Sequence, residues 1–200
     1  MCHPQFKQGP PSETAQVASN FLQQVLNNSG FIDLEDLCIE KGKFVWVLYI
    51  DLTCLNYGGN ILDVSVKAMT SALKNVMVPK ASVIKQEDDN SDVTVQLEIS
   101  PESNFRRPLK LGNVPISHTI CLFENKLLLD PTAEEEELCT SVTIVLTTDN
   151  EVCHLHKPGG TAVAPDQLQK CISLSKKHSK SVQKLIEAAS NVQLERNKQT

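Results

Sequence analysis

The segment Phe44–Lys74 constrains the fold more than any other part of this chain. Its first half, Phe44-Val-Trp-Val-Leu-Tyr-Ile50 continuing to Leu55, is apolar, β-branched and aromatic, which predicts a strand buried on both faces. The turn Asn56-Tyr-Gly-Gly-Asn60 follows, and its glycine pair supplies the backbone freedom of a sharp reversal. Beyond it, Leu62, Val66, Met69, Ala72, Leu73 and Val76 spread over a wide helical arc, so a helix from Ile61 to about Val76 is expected deep in the fold. Asn60 is expected to cap that helix, its side-chain oxygen accepting from a first-turn amide, with Asp63 near the positive end of the dipole. A strand, a Gly-rich turn and a helix N-terminus make a candidate anion site, because unpaired amides point outward there.

Elsewhere the pattern predicts a first helix over Glu13 to Asn27, capped by Ser12, with Val17, Phe21, Leu22 and Val25 at helical spacing. Short strands are expected at Ala81–Ile84, Val93–Ile99, Ile116–Phe123, Lys126–Leu129, Ser141–Leu146 and Val152–His156. Glu87–Asp92 reads as a solvated hairpin tip and Ser100–Asn104 as a further connection. A last helix begins near Pro165 and carries an apolar stripe to about Val192, with a frayed tail over 194–200. Strands mixed with a few helices, without regular βαβ repetition, indicate an α+β fold with mixed sheets, expected as one domain over 1–193.

With 40% apolar and 22% charged residues, 200 residues can bury one ordinary core. Aromatics make up only 4%, so base-stacking platforms are scarce, and a net charge of −5 removes the electrostatic footprint of an independent nucleic-acid binder. Any RNA contact must therefore be local or shared. The seven cysteines are odd in number and widely spaced, with Cys38, Cys54, Cys121 and Cys139 inside apolar runs, so reduced buried thiols are expected. No apolar segment is long enough to span a bilayer, and the first residues lack the apolar stretch of a secretion signal, so a soluble intracellular protein without membrane contact is expected.

Cys153-His-Leu-His156 would place two histidines on one strand face with Cys153 on the other, too few convergent ligands for zinc, so no metal and no cofactor are expected. Arg106, Arg107 and Lys110 form a compact basic cluster that reads either as an RNA-phosphate contact or as a solvated loop before Pro108. Lys170, Lys176, Lys177, His178, Lys180 and Lys184 read as the wet face of the last helix, with an RNA contact as the alternative. Asp130–Glu137 is an acidic turn.

The wording of Trp46–Asp51 and Gly59–Asp63, continued by Ala68, Ala72–Asn75 and Pro79, resembles the RNase PH family, and within it the non-catalytic ring subunits of the eukaryotic RNA exosome. Gly9-Pro-Pro, Gln16–Ser19, Glu35–Ile39, Asp130–Thr132, Glu134–Glu137 and Leu155–Gly160 extend the resemblance over most of the chain. It implies the layered fold of that family, akin to domain 2 of ribosomal protein S5. It also implies that a strand-rich portion, roughly a third of the domain, precedes the helix near Ser12, so the N-terminal strands are expected to be lacking here. Apolar faces and open edges would then be left uncovered.

Active members of that family use phosphate to attack RNA and need a cation to hold it and a carboxylate nearby. By the resemblance, an acid should stand immediately before the glycine pair, where this chain has Asn56 and Tyr57, and an Arg should follow Gly9, where it has Pro10. Asp51 survives upstream. These degenerate positions imply a catalytically silent subunit that helps build a ring threading single-stranded RNA to a separate nuclease, for rRNA maturation and mRNA turnover. Implied partners are other RNase PH-like ring subunits and cap proteins bearing S1 or KH modules; the implied location is nucleus, nucleolus and cytoplasm. The alternatives are a phosphate-dependent 3'-to-5' exoribonuclease in which Asp51 and Asp63 take over the missing roles, and a shortened form unable to join the ring.

Overall fold

A computed structural model describes residues 12–87, 93–99, 106–124 and 126–197. Helix α1, Glu13–Ser29, starts where Ser12 Oγ accepts from the Ala15 amide, and it ends at Gly30, whose φ of 62° is the left-handed conformation that closes a helix without a Cβ clash. A 3₁₀ turn, Leu34–Leu37, leads to strands β1 (Cys38–Glu40) and β2 (Phe44–Val45). Helix α2, Ile61–Lys74, is followed by β3 (Met77–Pro79), β4 (Ala81–Glu87), β5 (Val93–Ile99) and β6 (Arg106–Pro108). Next come β7 (Ile116–Phe123), β8 (Lys126–Leu129), α3 (Ala133–Leu138), β9 (Thr140–Leu146), β10 (Val152–His156) and α4 (Pro165–Asn197).

The centre is an antiparallel sheet in the order β10-β9-β7-β8. Alternation along β9 shows why it is buried on both faces. Val142, Ile144 and Leu146 meet Ile120 and Cys171 of α4, whereas Val145 meets Phe21 and Val25 of α1 and Val66 of α2. Helices therefore cover both sides of the sheet, the layered α+β arrangement expected from the sequence. A third cluster, Phe31, Leu37, Met69, Leu73, Val78 and Leu109, packs under the short strands between α2 and β7, with Trp46 and Leu48 against its edge. Ile144 is fully buried between β7 and α4, so Ile144→Val should lower the unfolding free energy by about 1 kcal/mol in urea titrations, the effect of one deleted methyl group.

The segment most informative in the sequence departs furthest from its expectation. Phe44–Val45 alone pairs, with β1, and Trp46 adds one bond from its amide to the Leu37 carbonyl; from Val47 to Leu55 the chain joins no ladder among the described residues and bends at Leu55. Nor is it buried on both faces: Trp46 and Leu48 turn to the core, while Val47 is 60% and Tyr49 89% exposed. An extended conformation follows from β-branched and aromatic residues, but a strand needs neighbours, and none of the described residues flanks this one.

Other differences are smaller. β3, β6, the β1–β2 pair and α3 were not expected; Arg106-Arg107 is a strand on β3, not a loop, and Ala133–Leu138 is a helix, not a turn. α4 continues through Asn197, past the expected end near Val192 and into the stretch expected to fray. Cys121 and Cys171 are buried, as expected of reduced thiols, and burial pushes the Cys121 thiol up to about 12. Cys38 and Cys54 are exposed instead, Cys54 because its segment is uncovered. Pro10, the hairpin tip beyond Glu87 and Ser100–Asn104 lie outside the described residues. No described helix is long and apolar enough to cross a membrane.

Candidate functional site

The Gly58-Gly59 turn and the start of α2 press against the β8–α3 connection. The Ala133 amide donates to the Gly58 carbonyl at 3.1 Å, and Gly59, at φ 109°, lies so near Pro131–Ala133 that no side chain would fit. Asn60 does not cap the helix in the expected way. Its backbone is left-handed, φ 49°, and its side chain accepts nothing from the first turn; its Nδ2 instead donates to Asp63 Oδ2 at 3.0 Å and to Asp130 Oδ1. Two carboxylate acceptors fix the orientation of the amide. The Asn60 amide donates to Glu136 Oε1 at 3.1 Å, and the Tyr57 hydroxyl donates to Glu136 Oε2 at 3.5 Å.

Asp63 is 3% exposed and acts as the hub. Its Oδ2 also accepts from the Thr119 amide at 2.7 Å, and its Oδ1 from Thr119 Oγ1 at 3.0 Å, while Thr119 Oγ1 meets Thr143 Oγ1 at 2.9 Å. The β7–β9 register sets Thr119 opposite Thr143, so two strands and one helix converge on a single buried carboxylate. Burial, ahead of any other cause, holds the Glu136 carboxyl above its ordinary value, with Asp63 adding to the effect, and burial likewise raises the Tyr57 hydroxyl. The expected anion site is thus filled from within. Three carboxylates, Asp63, Asp130 and Glu136, surround the turn, and the amide of Asn60, the residue before the helix, serves one of them.

Asp51 and Asn56 are exposed on the unpaired segment, outside this network, and Tyr57 joins it only through Glu136. Sequence reasoning placed Asp63 at the helix dipole but missed Thr119, Thr143, Asp130 and Glu136, whose convergence depends on strand register. One local signal was available: Thr132-Ala-Glu-Glu135 is a capping box, in which Thr132 Oγ1 accepts from the Glu135 amide and Glu135 Oε2 accepts from the Thr132 amide, and it announces α3.

The basic cluster lies elsewhere. Arg107 donates to Asp36 Oδ2 and to the Asp36 carbonyl, both at 2.6 Å, and Lys110 Nζ meets Asp33 at 2.7 Å. These pairs tie β6 and the chain after it to the 3₁₀ turn, and hydrogen bonds from Arg107 and then Lys110 hold the Asp36 carboxyl below its ordinary value. Arg106 is exposed and makes no ion pair among the described residues. Lys170, Lys176, Lys177, Lys180 and Lys184 of α4 are exposed, and His178 is half-buried.

The histidines of β10 have a packing role. The rings of His154 and His156 lie 5.3 and 5.4 Å from that of Phe21. A register shift between Val152 and His154 brings Cys153 against the same Phe21 cluster, contrary to simple strand alternation. His118 on β7 is 4% exposed with Nε2 unpartnered. Burial pulls its pKa below the ordinary 6.5, with Asp63 opposing and Lys67 and His178 reinforcing the shift; burial also lowers those of His154 and His156. The unfolded chain therefore takes up protons that the folded chain refuses, so stability is full above about pH 6.5 and declines as pH falls below it. Urea titrations at pH 7.5 and 5.5 should show this decline, and His118→Leu should make it shallower.

Helices layered on both faces of this sheet, with α2 joining it through Val66 to the Phe31–Leu109 cluster through Met69 and Leu73, define an RNase PH-type architecture. Models of the 3' exoribonuclease family match the chain in two blocks, domain 1 over residues 1–79 and domain 2 over residues 113–178. The chain belongs to this family. It is 40% identical over 177 residues to the exosome complex component rrp43 of Schizosaccharomyces pombe, covering 88% of this chain and 62% of that protein. Against the exosome complex component Rrp42 of Methanopyrus kandleri it is 35% identical over 190 residues, covering 94% and 67%. Among solved structures, the Archaeoglobus fulgidus exosome with RNA bound to the active site superposes with a TM-score of 0.71 at 26% identity, covering 98% of this chain and 66% of that one. An archaeal exosome core gives 0.70 at 27%, covering 91% and 66%. The chain thus spans about two thirds or less of the length of these relatives.

Proposed function

We infer that this chain is a non-catalytic, architectural subunit of an RNA exosome ring, which supports 3'-to-5' RNA processing and degradation by helping to thread single-stranded RNA toward a separate nuclease. The observation that carries the reading is the occupied turn: Asp63, Asp130 and Glu136 take the donors of Asn60 at the start of α2, where a phosphate would otherwise be held. An incoming phosphate would meet like charge there. Relatives named as exosome components supply the assembly. Other RNase PH-like ring subunits are the direct partners in this reading, S1 or KH cap proteins sit on the same ring, and the site of action is nucleus, nucleolus and cytoplasm.

The enzymatic alternative needs Asp51 and Asp63 to meet substrate, but Asp63 is buried with both oxygens bonded, and Asp51 lies on the exposed unpaired segment. Incubation of the purified chain with 3'-labelled RNA and phosphate should release no nucleoside diphosphate, while co-expression with a ring subunit should recover both chains in one complex. Phosphate-dependent release that Asp51→Asn removes would establish the enzyme instead. Failure of co-purification, where a longer relative succeeds, would establish a form unable to join the ring.

A further inference from the structure

We propose that the cavity walled by Trp46, Lys80, Arg106 and Arg107 is a one-nucleotide site for single-stranded RNA, with Arg106 holding a phosphate and Trp46 facing the base. The proposal rests on reading the chain as an RNA-handling subunit and names the place of contact. Four segments build the cavity: Cys38 on β1, Trp46 just past β2, the β3–β4 junction at Lys80, and β6. Its volume is about 450 Å³, within the size range of small-ligand clefts. Pairing of Pro79 with Arg106 and Val78 with Arg107 fixes the cations beside that junction.

Charge singles this cavity out. In a protein of net charge −5, its lining among the described residues includes Lys80, Arg106 and Arg107 and no carboxylate. Arg107 is anchored by Asp36, which orients that wall, and Arg106 is exposed without an ion pair among the described residues, so its guanidinium is the one placed to take a phosphate oxygen. Trp46 is half-buried, held from behind by the Phe31–Leu109 cluster while lining the cavity, and so offers the lone indole of the chain as a wall already positioned for a base. Cations beside an aromatic, in a half-open cleft of about one nucleotide's size, match a nucleotide of an unpaired strand better than a duplex, which would present only its backbone.

Cys38 lines the cavity and is exposed, whereas Cys54 is exposed outside it, so the two thiols make an internal comparison. The full chain is treated with a maleimide in the presence and absence of a short oligouridylate, and each cysteine is followed by peptide mass mapping. Saturating RNA should slow modification of Cys38 about fivefold or more and leave Cys54 unchanged. Arg106→Ser should weaken RNA binding about tenfold and remove the protection, and Trp46→Phe, which keeps an aromatic wall, should retain most of it. The proposal is overturned by an unchanged Cys38 rate, by protection that survives Arg106→Ser, or by equal protection from orthophosphate alone, which would mark a simple anion site. Recovery of Arg106→Ser in complex with a ring subunit reports separately on the architectural reading, which survives a negative result at Cys38.

Discussion

Replacing Asp63 with alanine should lower the unfolding free energy by about 3 kcal/mol or more, measured by urea titration at neutral pH. The carboxylate accepts from the Thr119 amide, from Thr119 Oγ1 and from Asn60 Nδ2, and it is 3% exposed, so water cannot replace it without opening the α2–β7 contact. Alanine would strand two buried N–H donors, the Thr119 amide and one of Asn60 Nδ2, while the Thr119 hydroxyl can turn to Thr143 Oγ1; each stranded group costs more than the net value of the bond it had made. Asp63→Asn should fall between wild type and alanine, because one of its two oxygens becomes an NH₂ that must face another donor. A loss below about 1 kcal/mol for the alanine variant would mean that the network joins groups already satisfied in other ways. The same substitution should reduce recovery with a ring subunit, since α2, β7 and the β8–α3 connection share this one tie.

The second large effect concerns Gly59. A Cβ at that position would lie 2.5 Å from the Ala133 nitrogen and 2.7 Å from the Thr132 carbonyl carbon, and φ is 109°, a region that side-chain-bearing residues rarely adopt. The obstructing atoms are backbone, so no rotamer change relieves them. Gly59→Val should therefore lower stability by about 2–4 kcal/mol, by pushing the turn away from the β8–α3 connection. Gly58→Ala is the matched comparison: nothing lies within 4 Å of its Cβ and its φ is not in the left-handed region, so the change should stay within about 0.5 kcal/mol of wild type. Equal effects at the two positions would show that flexibility of the turn, rather than its close approach, is what the glycines provide.

The sheet strands and long helices were legible in the sequence because their signals are local. β5, β7, β8 and β10 fall on the expected limits, since runs such as Ile116–Phe123 lack any helical apolar stripe, and α1 starts at its expected Ser12 cap. The site was legible only in outline. Gly58, Gly59, Asn60 and Asp63 stood out as a motif, but the roles given to Asn60 as cap and to the turn as anion site inverted once Asp130 and Glu136 arrived from 70 and 76 residues away. Arg106, Arg107 and Lys110 read as one cluster in the sequence, whereas strand pairing and the acids at the 3₁₀ turn divide them into two ion pairs and one cation with no ion pair among the described residues.

By itself, then, the sequence determined where the long helices and the strands of the central sheet lie, that the protein is acidic with few aromatic residues, and that it carries the RNase PH pattern. Tertiary structure decided the rest: that Val47–Leu55 joins no ladder among the described residues, that a buried carboxylate organises the glycine turn, and that a cavity collects Trp46 with the cations of β6. The physical reason is range. Backbone preference and apolar periodicity act over a few neighbouring residues, whereas hydrogen-bond partners, burial and the company a charge keeps are set by chain segments that meet only after the sheet has formed.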